Sequence, residues 1–395
     1  MKNDPVVIVS SVRTAVGKYG GSLKSLDSGY LASIVIKEAL NRASLTPELV
    51  DEVILGEVRQ TTKSSNVARV AALRAGIPVE APAFTINRLC ASSMQAVGSG
   101  VQQLMTGHAE IVVAGGTENM SDAPHYLRKA RFGDGPPALV DPNSENGQQP
   151  IETYGPDLGM GMTAENVAER YHISRKEQDA FSLESQQRAA AAQEKDIFQE
   201  EITAVEVPGR KSTTIFNKDE HPRPSTTAEA LEKLRPAFRK GGTVTAGNAC
   251  GRNDGASALI MMKESKAKEL GVKPAAKIID WTAAGVSPEI MGMGPVPAVQ
   301  RLLKKTGRTL DEIGRIELNE AFASQALAVM KELNLPQEKV NVNGGAIALG
   351  HPLGATGARI LTTLIHEMKR SEQHLGIATL CVGGGQGMAM MVESI

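Results

Sequence analysis

The sequence carries almost no net charge: 43 Lys and Arg against 44 Asp and Glu, or −1 at pH 7. That leaves no electrostatic footprint for nucleic acid or an anionic membrane surface. It has no uncharged apolar run of the roughly 18 residues that span a bilayer, so no transmembrane helix and no membrane partner are expected. Met1-Lys2-Asn3-Asp4-Pro5 lacks the layout of a secretory signal and leads directly into apolar Val6 to Val9, so a cytoplasmic location is expected. Cysteine is scarce: Cys90, Cys250 and Cys381 lie far apart with no C-x-x-C. A disulfide framework or a Cys-rich zinc site is therefore not expected. Each thiol is either a buried small hydrophobe or a reactive group.

What is present is a repeated strand–helix alternation. Its 395 residues suggest two or three domains. Strands are expected at residues 6–9, 50–56 and 84–86, with helices at 28–43 and 64–75, the second ending near Gly76. This alternation argues for a mostly parallel sheet flanked by helices. From Ala91, apolar Met94, Val97, Val101 and Leu104 recur at helical spacing, so Cys90 falls on a strand-to-helix turn. There the helix dipole is expected to lower the thiol pKa. Residues 121–160 turn polar and rich in Gly, Pro and Asn, which suggests an insertion with its own task. Helices follow at 163–171 and 174–196, the second opened by a capping box, Ser174-Arg175-Lys176-Glu177. Residues 208–240 hold eight Lys or Arg against four Asp or Glu. That segment is either a solvated surface or a site for a phosphorylated ligand. The β-α-β pattern restarts near Pro274, with a short strand expected at 340–342.

The last 55 residues are glycine-rich around one His and one Cys: Asn343-Gly-Gly-Ala-Ile-Ala-Leu-Gly-His351-Pro-Leu-Gly-Ala-Thr-Gly357 and Cys381-Val-Gly-Gly-Gly-Gln-Gly387. Glycine lets backbone approach a ligand closely, at an entropic cost. Residues 84–116 and 340–385 share one order of strand, Asn-containing turn, helix, strand and Gly-Gly turn. This reads as an internal duplication whose pseudo-twofold would bring Cys90, His351 and Cys381 to one interface. A thiol, a His kept neutral near a helix start and a second thiol suit covalent acyl transfer. The second thiol has a purpose if a proton must also leave carbon. The N–H groups at 383–385 could stabilise an enolate or oxyanion.

Five segments carry a resemblance. Asn87-Arg-Leu-Cys-Ala-Ser-Ser-Met-Gln-Ala-Val97, Val244-Thr-Ala-Gly-Asn-Ala249, Asn319-Glu-Ala-Phe322, Gly344 to Gly357 and Cys381 to Gly387 resemble the thiolase family, in family order and across essentially the whole chain. The short-chain bacterial acetyl-CoA acetyltransferases are the most similar type. The resemblance implies an α/β fold of duplicated βαβαβαββ halves in a five-layered α/β/α/β/α core. The N-terminal half would take residues 1–120 plus 248–272, an inserted loop domain 121–247, and the C-terminal half 273–395. It implies a ping-pong Claisen condensation of two acetyl-CoA to acetoacetyl-CoA, reversed as thiolysis, as part of fatty acid metabolism. Cys90 would be acylated, His351 would take its proton, and Cys381 would deprotonate the second acetyl-CoA. Asn319 would hold a water in one oxyanion hole, with His351. The N–H groups of Cys90 and Gly383 would form the other.

By the same resemblance Met160, Met291 and Phe322 line the acyl pocket, Arg223 packs on the CoA adenine, and Cys250 sits at the pantetheine. Acyl-CoA and CoA are substrates, no separate cofactor or metal is implied, and the chain would form a homodimer or a homotetramer, with residues 121–160 bearing the tetramer contact. The sequence departs from the family at Gly159, where many members carry His, at Cys250, where Ser is usual, and at Ala91, where Gly is common. The first two bear on substrate preference and CoA affinity. A broader-chain degradative 3-ketoacyl-CoA thiolase and a non-catalytic acyl-CoA-binding homologue are the alternatives. A ketoacyl synthase acting on a carrier protein fits less well, because such sites usually pair one Cys with two His or with His and Asn.

Overall fold

The computed structural model describes residues 4–145 and 147–395. Residues 1–3, where the signal-peptide reading begins, and residue 146, within the expected insertion, lie outside them. The main elements are β1 (Val6–Thr14), α1 (Ser28–Arg42), β2 (Glu52–Gly56), α2 (Val67–Ala75), β3 (Ala83–Ile86), α3 (Ser92–Thr106), β4 (Ile111–Asn119), α4 (Met160–Arg170), α5 (Arg175–Glu194), β5 (Asn253–Lys263), β6 (Ala276–Gly285), α6 (Pro295–Thr306), β7 (Arg315–Leu318), α7 (Ala323–Leu333), α8 (Thr356–Arg370), β8 (Leu375–Val382) and β9 (Gln386–Ser394).

Along the sheet the strands run β7-β8-β9-β6-β1-β5-β4-β2-β3. The two halves meet where β1 pairs with β6 over only Val7–Lys277 and Ile8–Ala276. Side chains alternate across each strand. On β4, Ile111 and Val113 face α1 and α2, while Val112 and Ala114 face α3 and α8. On β8, Ala378 and Leu380 join that same central layer, and Ile377 faces α6 and α7. Three buried cores therefore separate five layers, α/β/α/β/α, as the motifs imply. Met94, Val97, Val101 and Leu104 of α3 are almost wholly buried in the central layer, each contributing roughly 1.5–3 kcal/mol.

Two expectations are corrected. The sheet is mixed rather than mostly parallel: β2 runs parallel to β3 and β4, and β7 to β8, but β4–β5, β1–β5, β6–β9 and β8–β9 are antiparallel. The β8–β9 link is only residues 383–385, too short for a parallel crossover. Its glycines are required there, with φ of 75° at Gly384 and 86° at Gly385. Residues 340–342 form no strand; Val340 makes an isolated bridge to Ile316. The segment 121–160 holds a hairpin, Tyr126–Arg128 with Ala138–Val140. The capping box at Ser174 and Glu177 forms as read.

Candidate active site

Glycine brings the two pseudo-symmetric turns together. A β-carbon on Gly357, at the start of α8, would sit 2.6 Å from the backbone nitrogen of Met94 on α3. The helix starts are also tied by the Ala358 N–H donating to Ser93 Oγ at 2.9 Å. One turn carries Cys90 and the other His351. Leu89, just before the nucleophile candidate, has φ of 46°, a strained left-handed setting for a side chain with Cβ.

A cavity of about 500 Å³ opens at this junction. Cys90, Cys250, His351 and Cys381 line it, together with Met160, Met291 and Phe322. Phe238 adds an edge-to-face contact with Phe322 at 6.3 Å between ring centroids. Three of the expected site residues, Gly383, Asn319 and Arg223, are not on this wall. Gly383 lies against Leu89 and Gln148, and its N–H is directed at the Cys90 sulfur. Asn319 follows β7, is buried, and both polar atoms of its amide lack a partner among the described residues. Arg223 lines an adjoining cavity of about 800 Å³ that shares Phe238, Ala249, Cys250 and Gly251 with the first. A β-carbon at Gly159, on the first cavity's wall, would meet nothing within 4 Å.

The electrostatics correct one expectation. Burial pushes the Cys90 thiol up to about 11, outweighing the N–H groups of Gly383 and Cys90 itself and the charge of Arg59, which pull it down. The helix start does not win because Cys90 stands outside α3, whose N-cap is Ala91. His351 is neutral as expected, but chiefly through burial, with nearby Arg359 second, which together lower it to about 3. The resting pair is thus thiol and neutral imidazole rather than thiolate and imidazolium. Burial also raises Cys250 to about 12 and holds Cys381 well above the ordinary thiol range, each pushed further by a neighbouring thiol.

Around His351 the backbone is pinned from several sides. Its N–H donates to Asn253 Oδ1 at 2.9 Å, and its Nδ1 lies 2.6 Å from Thr356 Oγ1. Glu118, wholly buried on β4, accepts N–H bonds from Val58 at 3.2 Å, Arg59 at 3.0 Å and Gly354 at 2.9 Å. It therefore joins the wall beside Cys90 to the His351 turn. Neither Glu118 nor Thr356 was singled out from sequence. Thr356 stands inside a quoted motif, but only the start of α8 puts its hydroxyl against the ring. Glu118 looks like an ordinary strand residue until its three donors converge.

Glu57, also wholly buried, neighbours Glu118. Burial, then the Glu118 charge, raise Glu57 to about 8. The folded chain therefore keeps a proton on Glu57 that the unfolded chain loses near the ordinary carboxylate value. Its contribution to stability is favourable at low pH and is lost as pH rises through about 8. Glu57→Gln is expected to raise the apparent Tm at pH 9 by a few degrees and to change it little at pH 5; equal shifts at both would contradict this.

Among the described residues no helix is long and apolar enough to cross a membrane, and no cluster of three or more His, Cys, Asp or Glu is arranged to hold a metal. Residues 6–265 match the family profile "Thiolase, N-terminal domain" and residues 272–394 match "Thiolase, C-terminal domain". An acetyl-CoA acetyltransferase of Escherichia coli K12 is 51% identical over 400 residues, covering 100% of both chains. The solved structure of the Bacillus anthracis acetyl-CoA acetyltransferase superposes with a TM-score of 0.95 at 46% identity, covering 99% of each chain. That of human mitochondrial 3-ketoacyl-CoA thiolase in complex with CoA gives 0.94 at 44% identity, covering 99% of this chain and 98% of the other. The chain belongs to the thiolase family of acyltransferases.

Proposed function

We propose that the chain is an acetyl-CoA C-acetyltransferase that joins two acetyl-CoA into acetoacetyl-CoA and CoA, and runs the reverse thiolysis. The observation that carries this reading is the convergence of Cys90, His351 and Cys381 on one cavity, with the Gly383 N–H directed at the Cys90 sulfur. Cys90 attacks the thioester carbonyl as its proton passes to His351. CoA leaves with that proton, and the acyl group stays on Cys90. Proton transfer coupled to attack suits a neutral pair better than a resting thiolate would. The N–H groups of Cys90 and Gly383 face the growing oxyanion.

Cys381 then passes its own thiol proton to the neutral His351, and the resulting thiolate takes a proton from the methyl carbon of a second acetyl-CoA. A thiolate that burial makes unusually basic is matched to so weak a carbon acid. The carbanion attacks the acyl carbonyl, and the departing Cys90 takes the proton held on His351, which leaves both thiols and the neutral imidazole as they began. The unpartnered Asn319 amide has the capacity to hold a water beside His351, as the other oxyanion site.

Acyl-CoA and CoA are the substrates in this reading, with no separate cofactor. CoA runs through the second cavity past Cys250 towards Arg223, within the basic segment. Arg223→Ala is expected to raise KM for CoA roughly tenfold with kcat nearly unchanged, since a stacking contact far from the sulfur binds ground and transition states alike. An unchanged KM would remove Arg223 from the CoA site.

The chain works as a dimer or tetramer in the cytoplasm. Tyr126, Leu127, Phe132 and Leu139 are exposed on the hairpin of the insertion, which suits burial against another copy. Residues 1–120 with 248–272, 121–247 and 273–395 are taken as the N-terminal half, inserted domain and C-terminal half.

One observation favours a second reading. Gly159 leaves open space in a cavity lined by Met160, Met162, Met291 and Phe322, which suits longer acyl chains and a degradative 3-ketoacyl-CoA thiolase. Turnover on 3-ketoacyl-CoAs of increasing length separates the two. Highest kcat/KM on acetoacetyl-CoA supports the short-chain reading, and higher values on longer chains support the other. Binding without turnover on any would point to a non-catalytic acyl-CoA-binding protein.

A further inference from the structure

Thr356 is the first residue of α8, is wholly buried, and contacts the His351 ring from five residues downstream. Its hydroxyl oxygen lies 2.8 Å from the carbonyl oxygen of Pro352 and 2.6 Å from His351 Nδ1. A hydroxyl has one proton to give. The Pro352 carbonyl can only accept, so that bond takes the Thr356 proton. The oxygen then offers His351 only lone pairs, and the 2.6 Å contact requires a proton on Nδ1. A neutral imidazole with a proton on Nδ1 has a bare lone pair at Nε2. That atom is buried and has no partner among the described residues, on a ring that lines the cavity with Cys90 and Cys381.

We infer that Thr356 is a positioning residue for the reaction: by accepting the Nδ1–H of His351 it fixes the tautomer whose Nε2 receives the Cys90 proton. This rests on the proposed role of His351 as proton acceptor. Among the described residues nothing else found around the ring does the same task. The Asn253 amide binds the His351 backbone, and Arg359 disfavours the charged ring without choosing between its nitrogens. With the opposite tautomer, two lone pairs would face each other across the short contact unless Thr356 gave up Pro352. With its proton already on Nε2, the ring could not accept the Cys90 proton at that atom.

The test compares Thr356→Ser, Thr356→Val and Thr356→Ala in the full chain, by acetoacetyl-CoA thiolysis at saturating CoA. Serine keeps the hydroxyl and is expected to retain kcat within about threefold. Valine keeps the shape but loses the acceptor, and alanine loses both; each is expected to lose about 10²-fold in kcat, the usual worth of a positioned base, with KM nearly unchanged. The pH dependence of the residual activity should also differ from that of wild type, which a purely structural helix-start role would not produce. Full kcat in Thr356→Val, or a serine variant as impaired as valine, would overturn the inference.

Should the valine and alanine variants fail to fold, long-range ¹H–¹⁵N spectra of histidine-labelled wild type decide the matter, with His351→Asn for assignment. A proton on Nδ1 is expected; a proton on Nε2 would overturn the inference. A wild type inactive on every 3-ketoacyl-CoA would instead sink the proposed function itself, leaving the spectrum as the separate test of the tautomer.

Discussion

Cys90→Ser is expected to fold normally, to form no acyl-enzyme, and to lose about 10⁴-fold or more in turnover in both directions. The exchange replaces sulfur by a smaller, far less acidic atom. With the thiol already pushed up to about 11, proton transfer to His351 at the moment of attack is the step that burial makes hardest. A hydroxyl, less acidic still, puts that transfer out of reach of a neutral imidazole. Packing is little changed, because Cys90 is only partly buried and touches the cavity rather than the centre of the core. Exchange of labelled CoA into acetyl-CoA measures the acylation step alone; its survival in Cys90→Ser would move the nucleophile elsewhere, with Cys250 the nearest candidate.

Cys381→Ala is expected to separate the two half-reactions. It should still exchange CoA with acetyl-CoA and carry an acetyl group on Cys90, yet lose condensation and thiolysis by about 10⁴-fold. The side chain sits at the end of β8, 1% exposed, among Met291, Ala321 and Phe322, so the structural cost of removing one sulfur is small, about 1 kcal/mol. The chemical cost is large, since in the proposed mechanism Cys381 is the group that takes the proton from carbon. Mass spectrometry after acetyl-CoA addition locates the acetyl group. An unacylated Cys381→Ala protein would contradict the division of labour between the two thiols.

How much of this was legible in the sequence differs element by element. The duplication and the meeting of Cys90 with His351 and Cys381 were readable from the two like-ordered segments, each running strand, Asn-containing turn, helix, strand and Gly-Gly turn. Helix α5 was readable from its capping box. The direction of strands was not: β5 and β9 are apolar runs, and periodicity says nothing about which neighbour a strand takes or which way it runs. The Cys90 thiol was misread for a related reason. Position before a helix is a local property visible in sequence, but the opposing burial is set by distant residues. Glu57 and Glu118 were missed because each acts through charges or hydrogen bonds to residues distant in the chain, and Thr356 because only the folded helix start sets its hydroxyl against the His351 ring.

The central claim is that this cavity cleaves and forms a carbon–carbon bond next to a thioester. Mixing the purified protein with acetoacetyl-CoA and CoA, and following the 3-ketoacyl absorbance, tests it most directly. The account predicts loss of that absorbance with two acetyl-CoA formed per acetoacetyl-CoA consumed. No loss with acetoacetyl-CoA or any longer 3-ketoacyl-CoA would contradict it.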